Sequence, residues 1–338
     1  GLGHIGDGHV RLCQVGQSRL GQGQALPQQG LAQGEGLVRR LGEVVHADLA
    51  VVEQAPERGE LGGLQTEAAG AGGDDDLAVL FRAGTVGEGS DADRLDLPGV
   101  QQELLAAVVA TGKPVVVVLT GGRPYNLQGL EAKVAAFVWA FSGGEQIGHA
   151  LADILSGASE PTGRLPLSVP KNVGAVPYYY NHKLKSAGTP IAFHFGSRYP
   201  FGYGLAYTQF EYSDLRVDSE SVDIEHGEIK VTCRVRNAGA RKGVAVPQLY
   251  VRDVLASVVR PVKELKAFGR VELQPGEAAD VTFSVPVDML CFTGYDGNRV
   301  VEAGQFELQV GASSADIRLR KTVEVKGNTR RLGRDWRM

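Results

Sequence analysis

From Leu77 onward the chain alternates short apolar runs with segments of helical period. LAVLFRAG, Leu77 to Gly84, is an apolar run ending in glycine, the pattern of a buried strand. In LPGVQQELLAAVVATGKP, Pro98 stands near a helix start, apolar residues recur at helical spacing, and Gly112 lies just past the end. VVVVLTGG, Val115 to Gly122, is β-branched and apolar without alternation, which predicts a strand buried on both faces. VAAFVWAF, Val134 to Phe141, repeats the strand signal, and GGEQIGHALADILSG, Gly143 to Gly157, supplies a second helix. This order predicts an α/β domain over residues 76–170, a parallel sheet covered by helices. In such sheets the working loops lie beyond the carboxyl ends of the strands.

A period of two takes over after Phe210. EIKVTCRVRNAG, VAVPQLYVRD, KELKAFGRVELQPG, AADVTFSVP and GQFELQVGAS alternate polar and apolar positions with turn residues between them, which predicts an antiparallel β-sandwich over residues 210–326. Between the two patterns, VPYYYNHKLKSAGTPIAFHFGSRYPFGYGLAY is rich in aromatics, glycine and proline and has no sustained period. Aromatics in an irregular segment anchor it to a neighbouring surface, so residues 171–209 are expected to be a packing linker, with a sugar-stacking rim as the alternative. The basic end, residues 327–338, is expected to fray.

Residues 1–75 break both patterns. Gly1 to Gly73 contains no Phe, Tyr or Trp, and glycine and glutamine recur, as in GQGQALPQQGLAQGEG. Such a segment has few large side chains to offset the entropy of ordering it. Only LVRRLGEVVHADLAVVE, Leu37 to Glu53, carries an apolar period, that of a helix followed by a short strand. The segment is expected to be disordered or foreign to the domain that follows, rather than an interaction arm.

Composition narrows the function classes. With 43% hydrophobic and 22% charged residues, the 338-residue chain reads as globular and long enough for two cores. Its 35 basic residues against 39 acidic ones give no basic excess, so nucleic acid is not an expected partner. The longest apolar run, the eight residues Val134 to Phe141, is too short to span a bilayer, as is Val115 to Leu119. Cys13, Cys233 and Cys291 are scattered, without the spacing of a zinc site or the density of a disulfide scaffold, and read as buried or free thiols. The sequence starts at Gly1 with no charged segment leading into an apolar one, and it leaves cytoplasm, periplasm and secretion all open.

Candidate chemistry concentrates in VGEGSDADRLDLPG, Val86 to Gly99. It sets Glu88 between Gly87 and Gly89, with Asp91 following, in the loop after the first strand of the parallel series. On composition alone such a glutamate is an exposed turn residue. Other motifs carry less. LTGGRPYNL has glycines after a strand but lacks the G-x-G-x-x-G order, so no dinucleotide cofactor is expected. His149 has no second histidine four residues on, and is expected to be a structural histidine within reach of Asp153 rather than a metal ligand. No metal or cofactor is expected.

The order of motifs changes the standing of Glu88. GEGSDADRLDLPGVQQELL, GKPVVVVLTGGRPYNL, GGEQIGHALADILSGASEPTGRLPLSVP, VPYYYNHK, YPFGYGLAYTQFEYSDL, PVKELKAFGRVELQPGE and GQFELQVGASSADIRL follow one another from Leu77 to about Val325. This series resembles the C-terminal part of glycoside hydrolase family 3, the bacterial β-glucosidases and β-xylosidases. The resemblance implies an incomplete α/β sandwich domain followed by a fibronectin type III-like domain. It also implies a loop extended over the active site of a preceding (β/α)8 barrel, with Glu88 in EGSD as general acid/base and Gly87, Gly89 and Asp91 beside it as the substrate loop. Where that family commonly has arginine after the aspartate, this chain has Ala92, and Arg94 lies two residues on.

The family's nucleophile, an aspartate of the barrel, has no counterpart in this chain, since Asp214 in its S-D pair falls at the entry to the β-sandwich. The expected function is therefore the C-terminal portion of a retaining exo-β-glycosidase, inactive by itself, whose partners are the barrel and a β-glucoside or β-xyloside. The alternative is a noncatalytic module that binds a glycan or another chain.

Overall fold

The computed structural model describes residues 11–13, 49–51, 77–82, 92–184, 196–334 and 336, with the backbone alone for the first three stretches. The chain divides into two compact units, Gly1–Ser159 and Glu160–Met338.

In the first unit, β1 (Arg11–Cys13) and β2 (Leu49–Val51) pair antiparallel, and β2 falls in the segment expected to hold a short strand. The other expectations for residues 1–75 lie outside the described residues. β3 (Leu77–Arg82), β4 (Val115–Thr120) and β5 (Ala136–Phe141) form a parallel sheet with β4 in the middle. Leu77 pairs with Val115 and Arg82 with Thr120, while Val116 pairs with Ala136. Val115 to Leu119 are all buried, the physical reason for the unbroken β-branched run. α1 (Gln101–Ala110) buries Leu104, Leu105 and Val108 in one cluster with Val115, Val117, Leu119 and Leu127. Each leucine so buried contributes roughly 1.5–3 kcal/mol. The helix stops where Thr111 Oγ1 donates to the Val108 carbonyl (2.7 Å) and Gly112 turns left-handed at φ 75°.

α2 (Ile147–Leu155) starts later than its period predicts. Gly144 is left-handed at φ 69°, and a Cβ on Gly143 would lie 2.5 Å from the Ile147 side chain, so GGEQ forms a turn. None of its residues is buried, although Ile147, Leu151 and Leu155 give it an apolar stripe. The helix is half-wet.

The second unit begins with β6 (Val169–Pro170) and β7 (Ser197–Tyr199), a short antiparallel pair. Then follow β8 (Phe210–Val217), β9 (Ser221–Asp223), β10 (Glu228–Asn237), β11 (Gly243–Ala245), β12 (Gln248–Asp253), β13 (Glu264–Phe268) and β14 (Val271–Leu273). The series ends with β15 (Ala278–Pro286), β16 (Phe292–Thr293), β17 (Arg299–Val301), β18 (Gly304–Gly311), β19 (Ile317–Lys326) and β20 (Arg330–Arg331). A three-stranded sheet, β15-β10-β8, and a five-stranded one, β13-β12-β18-β19-β9, share one apolar core. The inward positions of β10 (Ile229, Val231, Cys233, Val235) belong to that core with Leu249, Val251, Leu308 and Val310. The sandwich is not wholly antiparallel: β9 pairs parallel with β19. Alternation reveals which face of a strand is buried but not its partner's direction.

Among the described residues of the segment 171–209, aromatic side chains pack on the strands. Tyr180 stacks on Phe201 with centroids 4.2 Å apart and meets Tyr250 edge-on at 5.9 Å, and its hydroxyl accepts from Leu265 N–H (3.0 Å). Of the basic end, residues 327–334 and 336 are described, and contacts hold them in place. β20 pairs with β17, Arg330 bonds Asp288, Arg331 bonds Asp296, and the Arg299 guanidinium lies 4.7 Å over the Trp336 ring. Acceptors elsewhere in the unit hold these arginines. Cys233 is fully buried, which pushes its thiol up to about 11, and the buried Cys291 sulfur accepts from Arg299.

Candidate active site

The carboxyl edge of the parallel sheet is where ligands bind in folds of this kind. β3 ends there at Arg82, opposite Thr120 at the end of β4. Gly87, Glu88, Gly89 and Asp91 follow β3 in sequence and lie outside the described residues. The chain is described again from Ala92, exposed like Asp93 and Arg94. The Arg94 Nε lies 3.9 Å from Asp93 Oδ2 with both side chains in solvent (75% and 91% exposed), so the pair contributes little.

The next residues are pinned. Asn126 N–H donates to the Leu95 carbonyl (2.6 Å), Asp96 forms a parallel bridge with Asn126, and Gln128 Nε2 donates to Asp96 Oδ1 (3.1 Å). Leu97 is buried in the core beside Leu127 and Tyr125. The loop after β4, LTGGRPYNL, is the brace in this arrangement. Its Leu127 carbonyl accepts from Gln102 Nε2 of α1 (2.7 Å), and Asn126 Oδ1 accepts from Gln128 N–H (2.9 Å). Its glycine turn is bonded to β5, with Gly121 N–H donating to the Phe141 carbonyl and Trp139 Nε1 donating to the Gly121 carbonyl. Trp139 and Phe141 stack at 5.7 Å at the end of β5.

Asn126 and Gln128 are the site residues that the sequence does not announce. Nothing in LTGGRPYNL or just after it marks Gln128, the residue that follows Leu127, whose backbone is left-handed at φ 53°, an uncommon state for a non-glycine residue. Other candidates separate from this edge. His149 and Asp153 are both exposed on α2 and no hydrogen bond joins them, so the expected structural pair does not form. Asp214 is exposed within β8 at φ 52°, where the register with β10 shifts, and it serves a strand irregularity. In the second unit a cleft of ≈ 270 Å³ is bordered by Asp253, Leu255, Val259, Arg260 and Tyr295. Arg260 holds Asp253 at 3.5 Å, and the rim is apolar. It offers no free acid.

Comparison with known proteins agrees with this geometry. The Glycosyl hydrolase family 3 C-terminal domain matches residues 16–207, reaching upstream of Leu77, and the Fibronectin type III-like domain matches residues 245–314. A beta-xylosidase of Formosa agariphila is 39% identical over 73% of this chain and 35% of its own length. A periplasmic beta-glucosidase of Salmonella typhimurium is 36% identical over 70% of this chain and 32% of its own. Among solved structures, a mutant beta-glucosidase from Listeria innocua in complex with laminaribiose superposes with TM-score 0.72 at 32% identity, covering 81% of this chain and 39% of that one. The chain spans about a third of the length of the curated relatives it matches. An α/β unit with a parallel sheet, an all-β unit after it and both domain matches in that order lead to one assignment: the chain belongs to glycosyl hydrolase family 3, of which it carries the C-terminal domain followed by a fibronectin type III-like domain.

Proposed function

We propose that this chain supplies the general acid/base, Glu88, of a retaining exo-β-glycosidase that removes terminal non-reducing β-D-glucosyl residues, with β-xylosides as related substrates. The observation that carries this reading is the position of EGSD: it follows the first strand of the parallel series, inside the region matched by the family. Relatives named beta-glucosidase and beta-xylosidase, and a relative solved with laminaribiose, support the substrate class.

Retaining hydrolysis needs two carboxyl groups about 5–5.5 Å apart. In the first step the barrel's aspartate attacks the anomeric carbon, the glycosidic C–O bond breaks, and Glu88 gives its proton to the departing oxygen. In the second, Glu88 as carboxylate takes a proton from water, whose oxygen attacks the anomeric carbon and releases the aspartate. Gly87 and Gly89 leave the sugar uncrowded, and a general acid/base works best with its pKa near the operating pH. Asp91 follows on the same loop. Ala92 stands where the family commonly has arginine, and Arg94, two residues on, is exposed beside Asp93.

The test compares the 338-residue chain alone with the same chain fused behind the barrel of the Listeria innocua beta-glucosidase, on aryl β-glucoside and β-xyloside. Turnover is expected only in the fusion, the glucoside being preferred. Turnover by the chain alone that a point mutation within residues 1–338 abolishes would contradict the proposal.

A further inference from the structure

We propose that the cleft of ≈ 270 Å³ in the second unit is a docking site for a peptide segment of another protein that presents one large apolar side chain beside a carboxylate. All of the residues that line the cleft are described, and its rim stands in solvent: Tyr295 is 88% exposed, Leu255 83% and Val259 61%. Val254 and Leu184 complete the rim, so five of the nine large apolar side chains that are exposed among the described residues gather at one place. A lone exposed leucine needs no explanation, but a contiguous apolar patch marks an interaction surface. The loop that carries most of this rim, residues 254–259, is braced from behind. Val254 N–H donates to the Gln305 carbonyl (3.1 Å), Leu255 N–H donates to the Asp253 carboxylate, and Ser257 gives its N–H and its hydroxyl to the two oxygens of Glu302 (2.9 and 2.5 Å). Next to the loop, Arg260 holds Asp253 at 3.5 Å and Glu264 at 2.8 Å, and its guanidinium lies 4.6 Å over the Phe292 ring. The Asp253 and Arg260 side chains are largely withdrawn from water, a desolvation penalty that a loose surface loop does not incur. A loop fixed in this way meets a partner with little further ordering.

The lining also selects the occupant. At ≈ 270 Å³ the cleft lies below the roughly 300–1,000 Å³ of sites that enclose a whole small molecule, so it suits a side chain. Asp253, Ser257 and Arg260 are already bonded to one another or to Glu302 and Glu264, which leaves the hydroxyls of a sugar few partners. Arg252 is the exception. It has no hydrogen bond or ion pair among the described residues, and Glu307, its register partner on β18, is engaged by Arg320 (3.7 Å) and by Gln309. The one unanswered charge of the lining is thus positive, and the complementary partner sets a carboxylate beside its apolar anchor.

The probe is a fluorescein-labelled, end-capped peptide with a leucine between two aspartates in a glycine-serine background, titrated against the 338-residue chain and read by fluorescence anisotropy. Replacing its leucine by alanine should weaken binding by roughly ten-fold or more. Replacing its aspartates by asparagines should weaken it by roughly three- to ten-fold, and binding of the aspartate peptide should fall as salt rises. On the protein, Leu255→Ser should weaken the aspartate peptide about as much as loss of the leucine does. Arg252→Glu should turn the preference toward a peptide with lysines in place of the aspartates, a reversal that a merely structural role for Arg252 would not produce. Leu255 is exposed and Arg252 has no described partner to lose, so both variants should keep the wild-type melting temperature. No saturable binding up to about 1 mM peptide, equal binding of the alanine and lysine peptides, or no effect of either variant would overturn the docking site. Competition by laminaribiose would make the cleft a glycan subsite, and a concentration-dependent dimer lost in Leu255→Ser would show that a second copy fills it; either result overturns the proposal. Binding alone is read, so these outcomes do not depend on whether Glu88 is the acid/base.

Discussion

Glu160 shows how one side chain ties distant strands together in the second unit. It sits in the SEPTGRLP run and accepts hydrogen bonds from Tyr207 N–H (3.1 Å) and Val244 N–H (2.5 Å). Burial raises its carboxyl pKa above the ordinary value, against the pull of those two donors and of the Arg164 and Arg241 guanidiniums. With the folded pKa above the unfolded one, the folded state binds the extra proton. The resulting stabilisation is fully present below the unfolded pKa and is lost as pH rises through the folded value. Glu160→Gln cannot titrate, and its amide oxygen replaces only part of the acceptor capacity. Wild type should therefore exceed Glu160→Gln in melting temperature most at about pH 4 and by less at pH 7. A difference that widens with pH would mean that the two N–H donors, rather than burial, govern the carboxyl. Asn237 plays a comparable part without charge. Fully buried, it donates to the Arg241 and Leu273 carbonyls and accepts from Thr208 Oγ1 and Gly239 N–H, which satisfies all of its hydrogen-bonding capacity.

At the scale of elements, what the sequence revealed follows from what each element buries. β4 was plain because burial on both faces writes an unbroken β-branched run, and α1 because Leu104, Leu105 and Val108 repeat on one side while Gly112 marks its stop. VAVPQLYVRD reads as one strand and is two, β11 and β12, and KELKAFGRVELQPG likewise gives β13 and β14, because the chain turns where Gly269 N–H meets the Pro247 carbonyl. β9, β16, β17 and β20 are too short to carry a period, and only their partners define them. In the candidate site the proposed acid/base, Glu88, is suggested by its motif alone. The Asp96 to Gln128 hydrogen bond is suggested by nothing local, since it joins residues 32 apart through a backbone angle that no local pattern encodes. The same contrast between elements sets local stability. β4 is bonded on both edges and buried, whereas α2 buries no residue, so hydrogen exchange should be slower in residues 115–120 than in 147–155 by roughly two orders of magnitude or more. Equal protection would show that the apolar stripe of α2 is covered in solution.

For the whole molecule, two compact units carry two separate apolar clusters, one around β4 and one between the sandwich sheets. The family assignment rests on both, and the chain spans about a third of the curated relatives' length. In the proposed division of labour the barrel holds the sugar and the nucleophile, while this chain brings the proton. The most direct measurement is Glu88→Gln in the barrel fusion, with and without azide. Loss of the proton donor should slow an alkyl β-glucoside by about 10²–10⁴-fold. An activated aryl glucoside should still form the glycosyl-enzyme, which then persists because water lacks its base. Azide needs no deprotonation, so it should restore turnover and yield a β-glycosyl azide of retained configuration, while Glu103→Gln on the exposed face of α1 should behave as wild type. Absence of azide rescue, or small and equal losses on alkyl and activated aryl glucosides, would contradict the assignment of Glu88 as the acid/base.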